Sequence, residues 1–338
     1  MGKSIYLSIA GVDPGWIIGK ISDDIQNVLQ SRGVTCRAGP PSQYNNENIC
    51  YHLGYAYAKP ERNAEVNSVF VTHIDDRFKE GLIKSNMDKF DSFICMSSDD
   101  RNYLISLGFD QEKVFGPPLP VRNDYVRPLS LGIFSSCYRD GRKNEKWLLR
   151  FAQSNPDASL LNYVFIGRAW GGFLEKFSKL GASFEWHVVD GALPYEYKFQ
   201  QEKLSRLDYY FYLGYDGGAM GSYDGYAYGN RLILINESYH LDIPNVEHPI
   251  TNYDDFNGAF TTIAAKQREK IDFFSNNCVS KYVDKLLEIW LGKCEPLEKS
   301  ETSSTSGQEM LQKRRDHYSR VSIFRMLGMI KRRVSKLK

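Results

Sequence analysis

Short apolar runs alternate with helix-patterned stretches along this chain, in two successive series, and that alternation narrows the fold more than any other feature. Ser4–Ala10, Ser68–Thr72 and Ser92–Met96 read as strands. Between them Ile17–Ser31 places Ile17, Ile21, Ile25, Val28 and Leu29 at helical spacing, and Asp99–Leu107 reads as a helix capped by Ser97 or Ser98. The run Phe115-Gly-Pro-Pro-Leu-Pro can continue no regular element, because proline removes a donor and fixes φ, and so marks a crossing between domains. A second series follows: Leu129–Ser135, Leu161–Ile166, Phe184–Val189, Tyr209–Leu213 and Leu232–Ile235 read as strands with helices between them. Strand–helix alternation of this kind builds parallel sheets, so the expected fold class is α/β with two domains.

A length of 338 residues also suits about two domains, each with its own core. Hydrophobic residues make up 42% of the chain, with 22 Tyr and 19 Phe, which excludes a disordered composition. The six cysteines lie at 36, 50, 95, 137, 278 and 294 with no Cys-x-x-Cys pair, so metal-ligand spacing is absent and reduced thiols are the simplest expectation. The first ten residues read as a strand and not as a signal peptide, and no run approaches the length needed to cross a bilayer.

The net charge of +2 hides an asymmetry. Residues 313–338 carry ten Lys and Arg against one Asp, while the rest holds 33 basic and 40 acidic residues. A basic surface for nucleic acid is therefore not expected; a specialised tail is. In that tail Ile323, Leu327, Ile330, Val334 and Leu337 form one apolar stripe amid Lys and Arg. Such a helix suits an anionic membrane surface, with docking to a partner protein as the alternative. Residues 298–312, rich in Ser, Thr and Glu at their start, read as a linker.

Chemistry concentrates in residues 213–244. Asp216 precedes Gly217 and Gly218, Ala219 and Met220 follow, and Asp224 stands eight positions after Asp216. Two glycines let backbone approach a ligand closely, and a helix starting near Ala219 would turn free N–H groups toward an anion. With that start, Asp216 lies in the loop and Asp224 in the first turns.

This stretch resembles the donor-binding signature of retaining GT-B glycosyltransferases, glycosyltransferase family 4 in particular. There two acidic residues flank a Gly-rich turn at the same spacing, usually as Glu, where this chain has Asp216 and Asp224; proline usually stands where Ala219 is. The resemblance implies two Rossmann-like domains facing a central cleft: an acceptor domain at 1–127 and a nucleotide-sugar domain at 128–297, its last helix able to pack back on the first domain. It implies a metal-independent hexosyltransferase that moves sugar from a nucleotide diphosphate donor to a lipid-linked or oligosaccharide acceptor in surface polysaccharide assembly of the O-antigen or capsule type. The location implied is the inner face of a bacterial cytoplasmic membrane, with possible assembly partners and no cofactor.

Further residues fall into place under the same resemblance. Arg142 and Lys143 are similar to the family's basic pair that grips the donor diphosphate. The growing charge on that leaving group needs fixed cations if no metal is present. Pro194 and Tyr195 stand where a proline-containing turn holds the nucleobase. His73 follows a strand and would contact the donor sugar, and Gly15 lies in the glycine loop after the first strand. Asp216 would contact the transferred sugar and Asp224 the ribose. No Asp-x-Asp triplet occurs, which counts against a GT-A transferase that chelates a metal. P-loop, Gly-x-Gly-x-x-Gly and Gly-x-Ser-x-Gly patterns are missing as well. Two other readings remain open: a nucleotide-sugar epimerase of the same fold, and a non-catalytic sugar-binding scaffold.

Overall fold

In a computed structural model the described residues are 3–9, 17–72, 74, 77–116, 126–188, 202–215 and 220–292. They divide into two units. The first runs to Asn123 and takes up the chain again from Ser275; the second is Asp124–Phe274.

The first unit contains β1 (Ile5–Ser8), α1 (Ile17–Ser31), β2 (Cys36–Gly39), β3 (Ile49–His52), β4 (Val66–Val71), α2 (Arg77–Lys84), β5 (Ser92–Cys95), α3 (Ser98–Ser106) and β6 (Val114–Phe115). Its six strands run in the order β2-β1-β3-β4-β5-β6, all parallel. Of the apolar positions read in α1, Ile25 and Leu29 are buried in the core and Ile21 and Val28 partly so, while Ile17 is exposed and Ile18 turns inward instead. Ser97 caps α3 by accepting from the Asp100 amide at 3.0 Å.

The second unit contains β7 (Ser130–Phe134), α4 (Glu145–Ser154), β8 (Asn162–Ile166), α5 (Gly171–Ser178), β9 (Ser183–His187), β10 (Tyr209–Tyr212), α6 (Gly221–Ala227), β11 (Arg231–Ile235), β12 (His248–Ile250) and α7 (Tyr253–Asn276). Its parallel strands run β12-β11-β10-β7-β8-β9. The chain winds outward from β7 to β9, then returns to the other side of β7 and winds outward again. The order thus reverses between β7 and β10, and doubly wound sheets bind ligands beyond the carboxyl ends of the strands at such a point. Beyond α7 the chain forms α8 (Val279–Trp290), whose Tyr282, Val283, Leu286 and Trp290 join the core of the first unit.

The expected α/β class with two parallel sheets is what the chain forms. Four strands escaped the sequence reading: β2, β3, β6 and β12. β3 is the instructive one. Its Tyr51 and His52 are buried polar aromatics, and the Tyr51 hydroxyl is matched by Tyr282 of α8 at 2.6 Å, a partner 231 positions away. The linker at 298–312 and the tail at 313–338 lie outside the described residues. Among the described residues no helix is long and apolar enough to cross a membrane.

Candidate functional site

Two loops meet where the strand order of the second unit reverses. One follows β7 and carries Arg142 and Lys143; the other follows β10 and leads to α6. Asn144, in a left-handed conformation with φ 49°, donates from its side chain to the Leu213 carbonyl at 2.6 Å. The Tyr215 amide donates to the Arg142 carbonyl at 3.2 Å. Gly141 turns the chain with φ 74°, which costs glycine no Cβ clash. The basic pair is thereby tied to a segment some 70 residues further on.

Lys143 is 4% exposed, an uncommon position for an ammonium group. Its Nζ donates to the Tyr212 hydroxyl and lies 4.5 Å from the Tyr212 ring centroid and 5.2 Å from that of Tyr138. A cation held among aromatic faces is attracted by their quadrupoles. Arg142 is exposed and behaves differently. Its Nε and a terminal nitrogen both donate to one oxygen of Asp140, at 2.8 and 2.5 Å, and its guanidinium lies 4.7 Å from the Tyr138 ring. The Arg142 hydrogen bonds hold the Asp140 carboxyl below its usual range. Burial, with the Glu145 carboxylate adding to it, pushes the nearby Cys137 thiol up to about 11, so it stays protonated near neutral pH.

α6 lies against β10 through glycine. A Cβ on Gly225 would stand 2.8 Å from Cγ of Tyr210, and one on Gly221 2.6 Å from the Tyr210 hydroxyl. Close approach of helix and strand is what these glycines allow. Asp224 sits in the first turn, half-buried, and among the described residues its carboxylate has no hydrogen-bond partner. Met220 just ahead of the helix is 72% exposed. The helix begins at Gly221, two residues after the expected start, and has seven residues. So short a helix aligns few peptide dipoles, and the anion-attracting charge must come chiefly from Lys143 and Arg142.

The structure therefore brings Arg142 and Lys143 to the end of β10, at Tyr212 and Tyr215. Asp216, Gly217, Gly218, Ala219, His73, Gly15, Pro194 and Tyr195 lie outside the described residues. Sequence reasoning missed Tyr138, Tyr212 and Asn144. One signal was present for Tyr212: the aromatic run Tyr209-Tyr-Phe-Tyr reads as a strand between apolar neighbours, and phenol hydroxyls that enter a core need partners. Among the described residues no group of three His, Cys, Asp or Glu is placed to hold a metal ion.

No family model and no curated protein matches this chain. Solved structures similar to it include WaaG, a glycosyltransferase involved in lipopolysaccharide biosynthesis, at 10% identity, covering 86% of this chain and 98% of WaaG, with a TM-score of 0.35. A glycosyltransferase from Rickettsia africae is 11% identical over 89% of this chain and 100% of its own, with a TM-score of 0.33. Anabaena HepE in complex with UDP and glucose is 9% identical over 86% of this chain and 100% of its own, with a TM-score of 0.32.

Proposed function

We propose that this chain is a retaining glycosyltransferase of the GT-B kind that takes a nucleotide diphosphate sugar as donor. One observation carries the reading: Lys143 and Arg142 are held at the carboxyl ends of the switch-point strands of the second unit, where the helix that carries Asp224 begins against Tyr210 and Phe134. A diphosphate leaving group needs cations, and a ribose hydroxyl is well matched by a carboxylate with no competing partner.

In this mechanism the acceptor hydroxyl attacks the anomeric carbon of the donor sugar. The bond from that carbon to the diphosphate oxygen breaks, and the leaving phosphate takes the acceptor proton. Lys143 acts as the buried point charge and Arg142 as the exposed, forked one, stabilising charge as it grows. Asp216 contacts the transferred sugar and His73 its hydroxyls, with Pro194, Tyr195 and the glycines at 15, 217 and 218 shaping the donor pocket. The first unit holds a lipid-linked or oligosaccharide acceptor of surface polysaccharide assembly, and residues 313–338 lie on the anionic inner face of the cytoplasmic membrane.

A panel of nucleotide sugars incubated with the protein and lipid extract, with and without EDTA, tests the reading. Transfer to an acceptor at a rate changed less than about twofold by EDTA supports it. A free, modified donor sugar with no transfer points to the epimerase. Rate loss that Mg or Mn restores overturns the metal-free role of Arg142 and Lys143.

A further inference from the structure

His240 lies in the 3-10 turn Ser238–Asp242 that follows β11, and it is 3% exposed. Its Nδ1 is 3.0 Å from the Ile235 carbonyl oxygen. A carbonyl can only accept, so Nδ1 carries a proton. The other nitrogen, Nε2, is 3.0 Å from the Ser222 hydroxyl in α6, and in the neutral ring it accepts from that hydroxyl. The imidazole also meets the Tyr212 ring edge-on, with centroids 5.5 Å apart and planes at 79°. Tyr212 in turn holds Nζ of Lys143.

We infer that His240 is a positioning residue that braces both halves of the proposed donor site at once. Through Ser222 it fixes α6, and so the place of Asp224 two residues along. Through the Tyr212 ring it fixes the depth at which Lys143 is held. The β11 turn thus touches both arms. The anion-binding cation and the hydroxyl-binding carboxylate both rest on β10, through Tyr212 and Tyr210, and His240 adds a second link between them from the β11 turn. A displacement of about 1 Å between such groups costs orders of magnitude in rate.

This inference rests on the proposed donor site, and its test separates the two. The full-length chain and the variants His240→Asn, Ser222→Ala and Tyr212→Phe are trace-labelled with acetic anhydride, and acetylation of each lysine is read by mass spectrometry. Pyrophosphate and UDP affinities are measured on the same proteins. The brace predicts that His240→Asn raises Lys143 labelling at least threefold, as Tyr212→Phe does, while Lys146 and Lys176 keep theirs. It further predicts pyrophosphate binding weakened about tenfold by each of these two substitutions and by little more when they are combined. His240→Gln, whose amide oxygen can take the place of Nε2 toward Ser222, should recover part of the UDP affinity that His240→Asn loses.

Unchanged Lys143 labelling in a folded His240→Asn protein overturns the brace. So do losses that multiply in the double variant, since independent effects would show that His240 does not act through Tyr212. If His240→Asn fails to fold, Ser222→Ala decides: lost UDP affinity at unaltered Lys143 labelling supports the α6 arm, and unaltered affinity overturns it. Failure of the wild-type protein to bind UDP or pyrophosphate removes the donor-site reading, while the labelling arm still decides the brace.

Discussion

Lys143 donates its ammonium proton to the Tyr212 hydroxyl at the end of β10, and its charge lies 4.5 Å from the centre of that ring. A loop cation is thus seated on the central strand of the sheet. The same strand receives α6 through Tyr210, so one strand sets the positions of the basic and the acidic sides of the site.

Lys143→Met should lower kcat by about 10²–10³-fold, the range for removing one donor aimed at developing negative charge. Donor affinity should change less, since the charge matters most as the bond breaks. Lys143→Arg should not rescue, because a planar guanidinium cannot occupy the enclosed place of a 4% exposed ammonium. Full kcat in Lys143→Met removes the residue from the chemistry.

Asp224→Ala should raise donor KM by roughly 10- to 150-fold, the equivalent of about 1.5–3 kcal/mol for a hydrogen bond to a charged acceptor. The fold should survive, because among the described residues that carboxylate supports no other group. Steady-state kinetics beside a circular-dichroism melt checks both parts. An unaltered KM would sink the ribose assignment.

Gly225→Ala should destabilise the chain by about 1–3 kcal/mol, since the added methyl would meet Cβ and Cγ of a wholly buried Tyr210 at 2.9 and 2.8 Å. Those atoms are the root of the side chain and cannot swing away. Gly258→Ala, in α7 with nothing within 4 Å of the added methyl, should instead stabilise by about 0.5–1 kcal/mol. Urea unfolding of the pair checks the contrast, and equal effects would refute the packing account.

Stability should fall on acidification between about pH 6.5 and 4 because of His52. Burial, only partly offset by the contact to Asn67, lowers its pKa from 6.5 to about 4. Above 6.5 the ring is neutral whether the chain is folded or not. Below it the unfolded chain takes up a proton that the folded chain refuses until about pH 4, so stability falls in that window by up to about 3 kcal/mol and then levels off. His52→Leu should flatten this part of the melting-temperature profile. A slope that survives the substitution belongs to other groups.

Removal of residues 313–338 should abolish binding to anionic vesicles and leave donor hydrolysis intact. The full chain should bind them in a salt-sensitive way, at roughly 1 kcal/mol per basic residue near the surface, screened over a Debye length of about 8 Å. Equal sedimentation with vesicles in both proteins would refute the membrane role and leave partner docking.

The fold class was legible in the sequence because its signal is local. Apolar strands and helix-patterned stretches repeat often enough to show two parallel sheets, and α1 was readable from Ile17 to Ser31. The basic pair, the Gly-rich turn and Asp224 were legible as residue types at fixed spacing. What the tertiary structure alone decided was which of these meet. Lys143 is buried and Arg142 exposed, although they are neighbours in sequence, because the Lys143 side chain turns to Tyr212 of β10 and the Arg142 side chain to Asp140. Tyr212 and His240 looked like ordinary core residues, and they join the site through strand order and through contacts 69 and 18 positions apart. Local periodicity carries which side chains turn inward; it carries nothing about which strand lies next to which, and that adjacency is what assembles a charged site from distant residues.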